Sequence, residues 1–580
     1  MNKTQEPRHA GPPPMPAFRI AWHPARVEPV SSPRASAGRE HDVNIATLLP
    51  ALASTHGARI AVATVGGPRL DFSQLSACAA ALGARLVAAG VAPGDRIALL
   101  AGAGPEWVTG FFGALNAGAI VVPLDAGQTA AEQKRLIEHA GAGRLLHAGD
   151  MSVAARELAV ETGVEPFCIE RNGFTVEPPP GQQRPVPRGA GDPALICYTS
   201  GTTGLPKGVT ISHGALRTQL EALRSVMGND HRTRVVSLLP PNHLFELTAG
   251  TLAVLSGGGS VIRGAAPTAV SVVAAMAAAR PQTMVVVPLF LGALRAAIQR
   301  ELAQLDPVRG AVMKGLLALA RCVRSRRLRR RLCWPLLRRF GGRLEYFVSG
   351  GAPLDSEVAD FFDALGVPVL QGYGLTEASP VVATNRPDDN RPGSVGRPLP
   401  GTEVRIADDG EIRVRGPQVM LGYYRDPAAT RDAVDRNGWL RTGDIGRLDD
   451  DGYLYVDGRR GHRIVLACGE KVQPEEVETV ILRSGLVADC GVIGRPSRLP
   501  LHRGSDEVCA VIVPAADVAA DERCAELLRL EVSRCCGELA AFKRPTRVIV
   551  RDEALPTTAT RKLRRAQLAV WLDARPEVGS

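Results

Sequence analysis

From Thr199 to Val209, eleven residues hold four hydroxyl side chains, three glycines and one lysine, in the run Tyr198-Thr-Ser-Gly-Thr-Thr-Gly-Leu-Pro-Lys-Gly-Val209. Such a run suits a loop that wraps phosphate oxygens. Glycines let backbone N–H groups approach, hydroxyls donate, and the Lys207 ammonium neutralises charge. The spacing is not G-x-x-x-x-G-K-[ST]. A polar surface turn would explain the hydroxyls and glycines, but not the placement of the lysine. Lysine is scarce, seven beside 62 Arg, and an ammonium and a guanidinium are not interchangeable, so a lysine kept inside a motif is informative. Lys562, in Leu555-Pro-Thr-Thr-Ala-Thr-Arg-Lys562, is a second. Tyr373 and Glu377 lie four residues apart in Gly372-Tyr-Gly-Leu-Thr-Glu377. They read as a Gly-flanked loop after a strand, where doubly wound sheets place ligands. The alternatives are an ordinary turn tyrosine and a solvated acid. Asp444, in Arg441-Thr-Gly-Asp444, reads as lying in an irregular segment, suited to accepting two hydroxyl hydrogen bonds or to capping a turn.

The elements that position these groups follow from apolar patterning. Between about residue 43 and 375, short apolar runs such as 60–65, 96–100, 119–124, 195–199, 235–239, 284–287, 344–348 and 367–370 predict strands. They alternate with helical patterns at 72–89, 105–117, 130–139 and 357–365. That rhythm predicts parallel, doubly wound sheets covered on both faces. After residue 395, Asp408-Asp409-Gly410 and Asp450-Asp451-Gly452 each separate alternating runs, predicting hairpins in a small antiparallel barrel or sheet. Beyond Asp457 a compact α+β segment is expected, with helices at 475–482 and 522–537 and strands at 508–513 and 547–550. The expected organisation is an α/β chain in three parts. A Pro-rich disordered extension covers 1–42, a large N-terminal domain with a small β-barrel-like subdomain covers 43–458, and a small mobile α+β domain covers 459–580, with a hinge near 461.

The motifs resemble, in order, those of the adenylate-forming superfamily: acyl-CoA synthetases, nonribosomal-peptide adenylation domains and luciferases. The resemblance runs from about residue 45 to 568 and is nearest to long-chain fatty acyl-CoA synthetases. It implies that Thr199, Ser200, Gly201, Thr202, Thr203, Gly204 and Lys207 hold the phosphates of ATP. Ser349-Gly-Gly-Ala-Pro353 matches the adenine-contacting turn, giving Gly351, Ala352 and Pro353 that role. Gly372, Tyr373 and Gly374 match the segment whose Tyr stacks on adenine, Thr376 meets phosphate, and Glu377 holds Mg²⁺. One such acid suffices beside a polyphosphate. Asp444 matches the ribose-gripping acid, with Arg459 of Gly458-Arg459 on the nucleotide side. Gly469-Glu470-Lys471-Val472 matches the start of the C-terminal domain, placing Gly469 and Lys471 on the thiol side. Lys562 matches the catalytic lysine, with Thr376 and Glu377 as further catalytic groups.

Two positions depart from the family. The hinge, usually Asp or Lys, is Gly461 followed by His462, which leaves rotation possible but removes a positioning charge. Arg561 stands where Gly usually precedes the terminal lysine. Pro241-Asn-His-Leu-Phe-Glu246, the segment 371–380 and the segment 307–342 resemble medium- and long-chain fatty acyl ligases. That places His243, Phe245 and Gly374 at the acyl pocket, against a structural histidine as the alternative at 243. An amino-acid substrate would want a buried carboxylate for its ammonium, and none is identifiable in the sequence. The implied reaction activates a fatty acid with ATP and passes the acyl group to coenzyme A. Carrier-protein phosphopantetheine is the rival acceptor. Relatives that load carrier proteins often insert residues after the Gly-Glu motif, and Gly469-Glu470 runs directly into Pro474 without one. A non-catalytic nucleotide- or lipid-binding relative is the alternative of another class, weighed against by Lys207, Glu377, Asp444 and Lys562 together.

Composition bounds the rest. The chain has 580 residues, 45% hydrophobic and 22% charged, with net charge +10. Its mean hydropathy is near zero (+0.01), enough apolar content to exclude global disorder. Eleven Cys without a C-x-x-C argue for reduced thiols and against a zinc ribbon. No nucleic-acid-binding motif accompanies the basic excess, so no nucleic-acid partner is expected. Residues 1–40 hold eight Pro and no apolar core of a signal peptide. The uncharged window Trp107–Leu124 reads as a buried helix running into a strand rather than a membrane span. A cytoplasmic protein is expected. Ten Arg between 321 and 343, interleaved with Leu, Val and Trp, suit either peripheral contact with the inner membrane surface or a solvated insertion.

Overall fold

The structure, a computed structural model, describes residues 44–169, 184–199, 207–264, 269–462, 464–466, 471–496, 506–519, 523–557 and 563–574. The extension 1–42 therefore lies outside the described residues. The rest is α/β, as the sequence predicts.

A seven-stranded sheet is ordered Gly422–Tyr423, Lys207–Ser212, Pro193–Thr199, Ile120–Pro123, Arg96–Leu100, Arg144–Ala148, Glu165–Ile169. Its last five strands run parallel, and the first two are antiparallel additions. The central strands are continuous apolar runs because both faces are covered, as parallel sheets require. The window Trp107–Leu124 is a helix, Pro105–Asn116, leading into the strand Ile120–Pro123, and Trp107, Phe111 and Phe112 are buried in the core. Helix Phe72–Ala88, opened by an Asp71–Gln74 capping box, packs against it. A Cβ on Gly113 would lie 2.5 Å from Leu82, so glycine is what lets these two helices approach.

A nine-stranded sheet is ordered Arg397–Pro398, Val381–Thr384, Val369–Gly374, Tyr346–Ser349, Thr283–Val286, Arg234–Ser237, Ser260–Arg263, Ile60–Thr64, Arg69–Asp71. It is parallel from Val369–Gly374 to Ile60–Thr64 and antiparallel at both edges.

The β-rich subdomain is an antiparallel sheet of Glu403–Ile406, Glu411–Arg415, Leu440–Leu448 and Leu454–Arg459. Gly410 and Gly452 adopt φ of 82° and 80° at the two expected hairpin turns. One expectation is corrected here. Asp444 lies within the strand Leu440–Leu448, opposite Arg459, rather than in an irregular segment. Ladder pairing overrode the local Thr-Gly-Asp turn signal.

In the C-terminal region, the strands Val487–Pro496, Asp506–Pro514 and Arg547–Val550 form a sheet. The helices Pro474–Ile481 and Cys524–Cys535 share one core with it through Val477, Ile481, Val492, Ile512 and Leu528. Cys535 ends a helix and Cys536 follows it, both as free thiols. Among the described residues, no helix is long and apolar enough to cross a membrane.

Candidate active site

The phosphate-loop motif joins two antiparallel neighbours. Strands Pro193–Thr199 and Lys207–Ser212 pair in register, with Thr199 opposite Lys207. The ends of the loop are thus pinned side by side by the sheet. Ser200, Gly201, Thr202, Thr203 and Gly204 lie outside the described residues. The second strand is one the sequence reading missed, because Gly and Pro just before Lys207 read as loop.

Lys207 has a partner that no motif announced. Its Nζ stands 4.8 Å from the ring centroid of Tyr423, whose hydroxyl donates to Glu377 Oε1 at 2.9 Å. Tyr423 is brought there by the two-residue strand Gly422–Tyr423, which adds to the edge of Lys207–Ser212. Burial and the Glu377 charge push the phenol well above its ordinary range, so it remains a donor. Glu377 sits in the 3₁₀ turn Thr376–Ala378, tied down by Met420 N–H donating to its backbone carbonyl at 2.9 Å. The one residue with a visible signal is Gly422, whose φ of 143° before two tyrosines marks a break in the chain path.

Tyr373 and Asp444 form a second hydroxyl–carboxylate pair. The Tyr373 hydroxyl donates to Asp444 Oδ2 at 2.7 Å, and Arg459 Nε lies 3.4 Å from Asp444 Oδ1. The Asp444 N–H donates to Thr442 Oγ1, and the Gly443 N–H to Glu411 Oε1. Burial, then the neighbouring Asp444, raises the Tyr373 phenol well above its usual value. Tyr373 is the next-to-last residue of the strand Val369–Gly374, not of a loop. Gly372 and Gly374 flank it, and a Cβ on Gly374 would fall 1.9 Å from the Pro380 carbonyl oxygen. Backbone approach therefore fixes the glycine at 374.

Gly351, Ala352 and Pro353 form an exposed turn after the strand Tyr346–Ser349. Phe245 packs against Val348 and Leu370, and a Cβ on Gly350 would lie 3.1 Å from its ring. His243 occupies the turn ahead of the π-helix Glu246–Leu252, donating its backbone N–H to Pro240.

One buried carboxylate that the sequence reading did not find is Glu246, 0% exposed. Burial lifts it to about 7, against the Ser237 hydroxyl and the Arg263 guanidinium. A Cβ on Gly250 would lie 2.6 Å from Glu246 Oε1, so this side is sealed by backbone. Arg263 is its charged neighbour, a cation that the protein itself supplies.

On the C-terminal side, Gly461 lies in the 3₁₀ turn Arg460–His462, with nothing within 4 Å of a Cβ there. Its φ is not positive. Neither space nor conformation demands glycine in this pose. Lys471 pairs with Val465 in a short hairpin. Gly469, Arg561 and Lys562 lie outside the described residues. Arg565, three residues beyond Lys562, donates to Glu478 Oε1 at 2.6 Å and pairs with Glu475 Oε1 at 3.1 Å. His462 Nδ1 meets the same Glu475 oxygen at 2.9 Å.

Among the described residues, no group of three or more His, Cys, Asp and Glu could hold a metal alone. Glu377 alone beside Lys207 fits a cation that polyphosphate itself carries.

Residues 50–424 match the AMP-binding enzyme family, and residues 476–562 match the AMP-binding enzyme C-terminal domain. FadD11 of Mycobacterium tuberculosis, a putative fatty-acid–CoA ligase, is 35% identical over 52% of this chain and 55% of its own. The match to that relative thus spans about half of its length. Feruloyl-CoA synthase of Amycolatopsis is 31% identical over 87% of this chain and 94% of its own. The solved Mycobacterium tuberculosis fatty acyl CoA synthetase superposes with TM-score 0.64 at 27% identity, covering 92% of this chain and 99% of that one. The motifs, two doubly wound sheets and a family match over most of the chain make this protein a member of the AMP-binding, adenylate-forming enzyme family.

Proposed function

We propose that this chain is an AMP-forming acid–CoA ligase acting on a medium- or long-chain fatty acid. The observation that carries the reading is the two hydroxyl–carboxylate pairs, Tyr373–Asp444 and Tyr423–Glu377, with Lys207 against Tyr423 and the Arg459 charge acting on both phenols. Each carboxylate accepts from one phenol, Asp444 also faces Arg459, and the two oxygens of a carboxylate offer about four acceptor sites in all. In this reading Asp444 accepts the ribose hydroxyls and Tyr373 and the turn Gly351–Pro353 bracket the adenine. Thr199–Gly204, Thr376 and Lys207 hold phosphate. Bound magnesium would neutralise charge between Glu377 and the polyphosphate. A substrate carboxylate oxygen attacks the α-phosphorus, and the bond to pyrophosphate breaks. The sulfur of coenzyme A then attacks the acyl carbonyl, and AMP leaves with the electron pair of the broken bond. Lys562 serves the first step. Gly461 is the pivot between residues 43–458 and 459–580, and Gly469 and Lys471 face the thiol. The fatty substrate is supported by FadD11 and the mycobacterial fatty acyl CoA synthetase, with His243 and Phe245 at the pocket. Feruloyl-CoA synthase makes aromatic acids the comparison to run. The setting is the cytoplasm, with the 321–343 segment at the inner membrane surface and no nucleic-acid partner.

Asp444→Asn, assayed by ATP–pyrophosphate exchange, is expected to raise the KM for ATP about 10- to 100-fold, the loss of charge-assisted hydrogen bonds. The KM for the acid should stay near wild type. An unchanged KM for ATP would overturn the ribose assignment. A panel of fatty and aromatic acids, each with coenzyme A and with a phosphopantetheinyl carrier protein, tests substrate and acceptor. Preference for aromatic acids, or for the carrier, would overturn this choice.

A further inference from the structure

The helix Pro307–Cys322 carries an exposed stripe with no polar residue in it, flanked by the exposed Arg309, Lys314 and Arg321. Val308, Ala311, Val312, Gly315, Ala318 and Leu319 are all exposed. At 100° per residue they span an arc of roughly 120° along the whole helix, about 24 Å. Val308 is 72% exposed, Val312 58% and Leu319 51%, and beyond the helix Leu328 is 44% and Trp334 47% exposed. A solvated insertion would place polar side chains at these positions, because exposed aliphatic surface gains nothing from water. The surrounding charge is one-signed. From Pro307 to Leu344 there are eleven Arg and one Lys, and no Asp or Glu. Arg321, Arg324, Arg327 and Arg331 are exposed and make no ion pair among the described residues.

We propose that this helix lies in the plane of an anionic lipid bilayer, its apolar stripe embedded and the arginines of the following segment on the headgroups. An interfacial helix needs an apolar face of this width, a cationic flank and an aromatic at the boundary. Each basic side chain near an anionic surface adds about 1 kcal/mol of attraction. An acidic protein would satisfy the arginines but leave a continuous stripe of aliphatics without a reason. The proposal deepens the reading above, since fatty acids partition into bilayers, but lipid binding is measured without substrate, so either can fail alone.

The full chain is incubated with vesicles of phosphatidylcholine alone or with 30% phosphatidylglycerol, and sedimented. Anionic vesicles should bind at least about 10-fold more protein. Val312→Asp with Leu319→Asp should reduce that binding at least about 10-fold. Arg324→Glu with Arg327→Glu should bring it to the neutral-vesicle level. Both variants should keep wild-type turnover on a short water-soluble acid, which also reports folding. Bromolipid should quench tryptophan fluorescence in wild type and not in Trp334→Phe. Equal binding to both vesicle types, or binding indifferent to the aspartates, overturns the proposal. So does capture of an acidic carrier protein without vesicle binding.

Discussion

The Tyr373–Glu377 region and the C-terminal region both hold carboxylates, but by different means. At Glu377 a phenol donates to the acid, and at Asp444 a phenol donates while the half-exposed Arg459 lies 3.4 Å away. At Glu475 and Glu478 a guanidinium and an imidazole take up the oxygens. Arg565 reaches both glutamates and also donates Nε–H to the Val492 carbonyl, while His462 meets Glu475. Burial lifts Glu478 to about 7 although Arg565 opposes it. Glu475 is pulled down, because His462 and Arg565 together overcome its burial. The difference lies in how the charge is met. Glu377 and Asp444 are each oriented by a neutral phenol, with the half-exposed Arg459 as the cation near Asp444. At Glu475 and Glu478 the charge is met inside the protein by the largely buried Arg565. The second arrangement joins three segments: His462 in the turn Arg460–His462, the helix Pro474–Ile481, and the helix Arg565–Asp573 that follows the terminal lysine motif.

Four experiments test this contrast. Arg565→Met strands Glu478 without its cation, which should cost about 3–5 kcal/mol of stability, seen as a lower Tm for the C-terminal transition in calorimetry. A Tm within a degree of wild type would put the glutamates on the same footing as Glu377. Lys562→Ala is next. Bringing two anions together is the obstacle of the first step, so acyl-adenylate formation should fall ~10²–10³-fold. Conversion of synthetic acyl-adenylate plus coenzyme A should stay near wild type. Equal damage from Arg561→Ala would reduce the motif to a basic tail.

Glu246 provides a control, a fully buried carboxylate. Its folded-state value of about 7 lies above the usual 4.5. The folded chain therefore retains a proton that the unfolded chain has lost. The stability linked to that proton is complete below about pH 4.5 and is lost as pH rises through 7. Glu246→Gln should match wild type near pH 4.5 and gain up to about 3 kcal/mol by pH 8, read as a widening difference in denaturant midpoint. A difference independent of pH would show that Glu246 is ionised throughout. The smallest effect is expected at Tyr423→Phe. Losing one phenol donor to Glu377 should cost about 1 kcal/mol, a roughly fivefold rise in the magnesium needed for half-maximal exchange. No shift would mean that Tyr423 only packs.

Much of this molecule is determined by sequence alone. The run Tyr198–Val209, the Gly372–Glu377 segment, Asp444 and the terminal lysine motif are local signals that carry the family resemblance. The apolar strands such as Arg96–Leu100 and the Asp-Asp-Gly hairpins are equally local, because side-chain period and turn residues are set within a few positions. What only the tertiary structure decided is which distant side chains meet. Tyr423 reaches Glu377 across 46 residues because a two-residue strand, too short to leave a periodic signal, adds to the edge of a sheet. Asp444 lies in a ladder opposite Arg459 although its own neighbours spell a turn. Arg565 closes on Glu478 across 87 residues, and nothing in either local sequence names the other. Val312 and Leu319 recur at helical spacing, and only the packed fold leaves them facing outward. Local pattern fixes backbone conformation, which depends on near neighbours. Pairing between segments depends on how the sheets close, and burial of the whole core decides that.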